Sequence, residues 1–186
     1  MNNQTQTLNT QKNTMKLAKM GMLVAISIVL VSIIHFPIFP AVPFLEYDPA
    51  DIPILIGTFA FGPVAGLLLT IVTSVIQGLT VSSASGLYGI LMHIIATGTF
   101  VIVAGNIYNR HKSKKFAIIG LAVGALAMAA IMAPANIFIT PYFMGAPKEV
   151  VIQLLPFILA FNLVKAGING IVTLVLYKKI SKFLHK

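Results

Sequence analysis

The sequence predicts an all-α integral membrane protein, with six transmembrane helices in a single small bundle. Three observations predict it. Of 186 residues, 58% are hydrophobic and 9% charged, with a mean hydropathy of +0.94, whereas soluble domains carry roughly 25% charged residues. The charges separate by segment: of 13 Lys and Arg, 11 lie in 12–19, 110–115 and 178–186, while the four acids, Glu46, Asp48, Asp51 and Glu149, lie in two other loops. The five tyrosines, Tyr47, Tyr88, Tyr108, Tyr142 and Tyr177, fall near predicted helix ends, as an interfacial belt requires.

The formal charge of +9 is therefore a topology signal and not a nucleic-acid face. Cysteine is absent, which removes disulfides, thiolate metal sites and a cysteine nucleophile.

Residues 1–14, rich in Asn, Gln and Thr, have nothing apolar to bury and are expected to form a disordered cytoplasmic tail. The bundle domain is expected over 15–186. Its first helix, from Met15 to Phe36, holds an apolar run long enough to span, preceded by lysines and without a clear cleavage site, so it reads as an uncleaved helix. His35 to Pro49 holds four prolines, which rule out regular helix. Asp51 is placed to cap the next helix, with Pro53 tolerated in its first turn.

The apolar span from Ile52 to Val81 is either one long helix or two joined at Gly62 and Pro63. Charge decides. With a cytoplasmic N-terminus, one helix would put Arg110 to Lys115 outside, against the positive-inside rule, and two helices put it inside. The remaining helices are expected at 51–61, 64–81, 86–109, 116–139 and 150–180, with both termini cytoplasmic. An 11-residue second helix is about 16 Å long against a hydrocarbon core of roughly 30 Å. Irregular backbone at that depth must be surrounded by protein or line a cavity. The proline-rich loop 37–50 is thus expected to dip into the outer half of the bundle as a lid over an outward-facing pocket. No internal repeat divides the chain.

In the last helix, Asn162, Lys165 and Asn169 fall within about 60° on one face at ~100° per residue. A lysine there costs roughly 2.5–3.5 kcal/mol on insertion scales, which marks a candidate functional site. No acid lies inside a predicted span to pair with it, so a ligand oxygen is the expected partner; the bland alternative is a structural lysine with asparagines bonding between helices. Asn136, close after Pro134, is a further candidate, able either to line the site or to satisfy a carbonyl freed by the proline. Phe44, Leu45, Glu46, Tyr47 and Asp48 offer aromatic surface and acceptors beside the pocket, or form a solvated turn. His93 and Gln77 are polar residues in apolar helices; with no second ligand at metal spacing, His93 reads as a hydrogen-bonded core residue and no metal site is expected. Gln77, Thr80, Ser82, Ser83 and Ser85 cluster at one helix end, as a polar lining or as ordinary loop chemistry. Gly21 and Ala25, with Ala18 a turn earlier, form a small-residue pair that lets another helix approach, from within this chain or from a partner.

There is no G-x-x-x-x-G-K-[ST] phosphate loop, no nucleophile and base beside Lys165, and the positions of the acids leave no buried carboxylate pair for proton coupling. The chain reads as a binder energised by other subunits, not as an enzyme; a stand-alone facilitator is the competing expectation. From these residues alone the ligand is a small polar or amphipathic organic solute.

Phe44 to Pro53, Ala60-Phe-Gly-Pro-Val-Ala-Gly66, Ser85-Gly-Leu-Tyr-Gly89, Ala135-Asn136 with Pro141-Tyr142, and Phe161-Asn-Leu-Val-Lys-Ala-Gly167 with Leu176-Tyr-Lys-Lys179 together resemble the riboflavin-specific S components of energy-coupling factor (ECF) vitamin transporters, from about residue 15 onward. The resemblance implies a six-helix plasma-membrane subunit that binds riboflavin as transported substrate, without a cofactor. The resemblance further implies that this subunit docks on a transmembrane T subunit carrying two cytoplasmic ATPases. It also implies that Asn136, Asn162 and Lys165 contact the flavin, that Leu45, Glu46, Tyr47 and Asp48 form a gating loop, and that Gly21-x-x-x-Ala25 stands for the family's Ala-x-x-x-Ala docking motif. An S component for another vitamin-like solute is the alternative.

Overall fold

The structure is a computed structural model that describes the backbone of residues 3–184 and the side chains of 10–177 and Lys179. The side chains of Lys178, Lys182 and Lys186, three members of the expected C-terminal basic cluster, lie outside that set. Six α-helices follow in order: α1 (Asn3–Ile33), α2 (Asp51–Phe61), α3 (Pro63–Leu79), α4 (Gly86–His111), α5 (Lys114–Met144) and α6 (Lys148–Leu184). Four of them contain segments long and apolar enough to cross a membrane, Thr10–Ile33, Ser83–His111, Lys114–Met144 and Lys148–Tyr177. α2 and α3 are shorter, so the apolar stretch is two helices broken at Gly62 and not one long one.

α1 begins at Asn3 and not at Met15, taking in most of the stretch expected to be a tail. No glycine or proline interrupts it before Gly21. Thr14 Oγ1 donates to the Thr10 carbonyl at 2.9 Å. The helix ends at Ile33, three residues short of the expected Phe36.

α2 has the expected bounds, and every residue from Asp51 to Phe59 is buried. A helix apolar on all sides must be packed on all sides, and α2 touches α1, α3, α4 and α6. Its end is set by Gly62, whose φ of 94° lies in the left-handed region, where a Cβ would be strained. Pro63 then opens α3, at a position where a missing N–H does no harm. The anticipated cap differs: Asp51 is the first helical residue and makes no capping bond. Asp48 Oδ1 instead accepts from the Ala50 N–H at 3.0 Å, an Asx turn just ahead of the helix.

α3, α4, α5 and α6 pack in sequence order, each against the next. The α4–α5 approach is close because Gly120 lacks a side chain: a Cβ there would stand 2.8 Å from the Ala104 carbonyl oxygen. Ser113 caps α5 by accepting from Phe116 N–H at 3.4 Å. Gly145, at φ 60°, ends it in the left-handed conformation. Pro134 and Pro141 lie inside α5 without terminating it.

The main core surrounds α2, with Ile54, Leu55, Leu69, Phe100 and Met128 almost fully buried. A second cluster joins Val42 of the proline-rich loop to Val151 and Ile158 of α6, with Phe39, Phe44 and Leu45 packed against it. The loop thus does fold into the bundle, stiffened by a two-residue antiparallel pairing of β1 (Phe36–Pro37) with β2 (Glu46–Tyr47). Two of the five tyrosines depart from the expected belt. Tyr47 and Tyr108 are buried, Tyr108 in a ring cluster with Phe59 and Tyr177 whose hydroxyl lies 3.2 Å from its own.

Candidate functional site

The loop's descent carries acids to a depth that hydropathy alone does not reveal. Asp48 is 4% exposed and Asp51 is fully buried, and the Lys165 Nζ donates to Asp48 Oδ2 at 2.7 Å. This corrects two expectations, that Lys165 lacks an acid to pair with and that no carboxylate pair is buried. The physical reason is the apolar anchor at Val42, which pulls an irregular segment into protein surroundings where its polar backbone is satisfied. Removing one partner of such a buried pair strands the other, so the two residues are coupled in stability.

Asp51 collects three donors: Thr97 Oγ1 at 2.8 Å, His93 Nε2 at 3.1 Å and Asn169 Nδ2 at 3.2 Å. A carboxylate only accepts, so His93 carries a proton on Nε2. Its Nδ1 faces Ser74 Oγ at 3.0 Å. His93 is therefore bonded at both nitrogens.

Asn169 is the hub beneath the loop. Its Nδ2 also donates to the Asp48 carbonyl at 3.1 Å, and its Oδ1 accepts from Tyr47 Oη at 3.0 Å. The stripe read from helical periodicity thus divides: Asn169 fastens the loop, while Asn162 and Lys165 face a cavity.

That cavity lies between the loop and α3 to α6, and holds about 150 Å³; a single water needs roughly 10–15 Å³ on the same measure. It accommodates an organic molecule. Six of the seven expected ligand residues, Leu45, Glu46, Asp48, Asn136, Asn162 and Lys165, are in its wall. Tyr47 is not: its hydroxyl is spent on Asn169 and its ring packs 5.4 Å from that of Phe36. Asn136 donates to the Met132 carbonyl and accepts from Thr140, both at 2.8 Å, so it satisfies its own helix rather than the carbonyl freed by Pro134. Asn162 donates to the Ile158 carbonyl at 2.8 Å; its second amide proton remains for the cavity. Lys165 likewise has donors beyond the one given to Asp48.

Several wall residues escaped the sequence reading. Phe143, Met128 and Met132 supply aromatic and flexible apolar surface, and in a chain this apolar nothing distinguishes them from lipid-facing neighbours; Tyr88, expected only as an interfacial tyrosine, joins them in the wall. Gln77 and His93, also in the wall, were visible as polar interruptions of apolar helices.

Gly21 and Ala25 are not in the cavity wall. Both are exposed on α1, and a Cβ on Gly21 would meet nothing within 4 Å. The pair is therefore not a packing notch within the chain. It forms part of an apolar outer face with Met22, Ile26 and Val29.

The fold and site can be compared with known proteins. A family model described as "ECF transporter, substrate-specific component" matches residues 15–177. The chain is 30% identical over 186 residues to the riboflavin transporter RibU of Staphylococcus aureus (strain TCH60), covering 96% of each. It is 26% identical over 181 residues to the riboflavin transporter FmnP of Bacillus subtilis (strain 168), covering 92% of this chain and 94% of that one. A solved S component of a bacterial ECF transporter superposes with a TM-score of 0.80 at 31% identity, over 94% of this chain and 99% of that one. ThiT from Listeria monocytogenes superposes with a TM-score of 0.65 at 17% identity, over 93% and 98% of the two chains, a likeness of fold alone. With a lidded cavity at one end of a six-helix membrane bundle and a family match along most of its length, this chain belongs to the substrate-specific components of ECF transporters.

Proposed function

We propose that the chain captures riboflavin at the outer face of a cell membrane and presents it for ATP-driven uptake. The observation that carries this reading is the cavity wall, which brings Asn136, Asn162 and Lys165 together with the apolar and acidic loop residues Leu45, Glu46 and Asp48. A flavin is a planar ring with carbonyl and N–H groups on one edge. Asparagine amides offer both donors and acceptors to such an edge, and a lysine offers donors to its carbonyls. Tyr88, Phe143 and the methionines provide apolar surface for the ring faces. Tyr47 serves through the loop, by holding it on Asn169.

Charge distribution supports cytoplasmic termini and a multi-pass topology, since the basic segments then lie inside and the loop with its acids outside. Energy comes from partners: a transmembrane T subunit, with two ATPases on the cytoplasmic side. The exposed α1 face around Gly21 and Ala25 is where the small side chains admit a partner helix.

The test is uptake of labelled riboflavin by cells lacking their own transporter. Uptake is expected when the chain is expressed with T and ATPase subunits, and to vanish when the ATPases are inactivated. Undiminished uptake with inactive ATPases would favour a stand-alone facilitator.

A further inference from the structure

The cavity has two polar regions of different chemistry. The α5–α6 side presents amides and an ammonium. The α3–α4 side presents neutral hydroxyls, the Gln77 amide and His93. On this second side Ser74 and His93 are already committed: Ser74 Oγ donates to the Thr70 carbonyl at 2.6 Å and lies beside His93, and His93 is held by Asp51.

Gln77, the buried amide of this side, is not. It is 9% exposed and in the cavity wall. Its Nε2 makes one long contact, to Ser82 Oγ at 3.4 Å, and its Oε1 has no partner. Thr73 Oγ1, the other buried side-chain polar atom without a partner among the described residues, is not in that wall. Exchanging the amide's oxygen and nitrogen would turn the contact with Ser82 around and leave the NH₂ without a partner instead. In either orientation one pole of the amide is left over. A hydroxyl, which both donates and accepts, completes both.

We propose that Gln77 is a specificity-determining contact for the polyhydroxyl tail of the ligand, with the flavin ring held against α5 and α6 and the tail running toward α3 and α4. The proposal rests on the riboflavin reading above and assigns the bound molecule a direction. Gln77 contributes nothing to a ring without the tail, whereas Asn162 serves the ring in both cases.

The experiment is a fluorescence titration of the purified full-length chain with riboflavin and with lumiflavin, the same ring lacking the polyol. Wild type is expected to prefer riboflavin by tenfold or more. Gln77→Met, close in shape but without the amide, is expected to lower riboflavin affinity by about tenfold, the value of one neutral hydrogen bond at the upper end of its range, and to leave lumiflavin affinity within twofold. Asn162→Ala is expected to weaken both. An equal loss for the two ligands, or no loss for riboflavin, overturns the assignment. Should Gln77→Met not fold, the wild-type preference decides alone: comparable affinity for the two flavins overturns it. Failure of wild type to bind either flavin instead defeats the riboflavin reading itself.

Discussion

Lys165 Nζ lies 2.7 Å from Asp48 Oδ2, joining the middle of α6 to the lid across 117 residues of sequence. The pair makes the lysine both part of the cavity wall and a fastener of loop 37–50, which lines it. Lys165→Ala strands a buried carboxylate, and breaking such a pair costs about 3–5 kcal/mol. Thermal unfolding in detergent should therefore fall well below wild type, and the double variant Lys165→Ala/Asp48→Asn should recover part of the loss. A double variant no more stable than the single one would mean that the pair does not hold the lid.

Asn169 predicts a separation of stability from recognition. It bonds Tyr47, Asp48 and Asp51 but is not in the cavity wall. Tyr47→Phe removes one neutral hydrogen bond, worth about 1 kcal/mol, and should raise the proteolytic susceptibility of loop 37–50 in the ligand-free protein. With saturating flavin the difference should shrink. Equal cleavage of variant and wild type without ligand would contradict this role.

These two cases also show how far the sequence is legible. The bounds of α2 follow from Pro53, Gly62 and Pro63, which act locally, and the stripe of Asn162, Lys165 and Asn169 follows from helical periodicity. The division of that stripe does not, because it depends on which groups the loop brings beneath α6. The sequence leaves Asp48 either beside the pocket or in a solvated turn and places Asp51 as a helix cap; the burial of both follows only from tertiary packing, that of Val42 against Val151 and Ile158 included. The start of α1 at Asn3 is not legible either, since a stretch without apolar surface offers no packing from which to expect order, yet nothing in it forbids helix.

Ala25→Leu is expected to leave flavin affinity and thermal stability unchanged and to abolish uptake with the partner subunits. Ala25 is exposed, so a larger side chain displaces nothing within the chain, whereas helix contacts built on small residues do not tolerate it. Loss of binding together with uptake would place Ala25 in the chain's own packing.

Gly120→Val should separate α4 from α5. Its Cβ would approach the Ala104 carbonyl oxygen to 2.8 Å, a backbone atom that cannot rotate away. Overpacking of this kind costs typically about 1–3 kcal/mol, to be read as a lower unfolding temperature. Gly21→Val, with nothing within 4 Å, is the control and should unfold as wild type does.

The central claim is that the cavity under loop 37–50 holds riboflavin, and it is tested most directly by the fluorescence of riboflavin titrated with the detergent-purified chain. Saturable quenching at stoichiometric protein, weakened by Asn162→Ala through about 1 kcal/mol or more of lost hydrogen bonding, is the predicted result. No quenching at micromolar riboflavin by well-folded protein would contradict it.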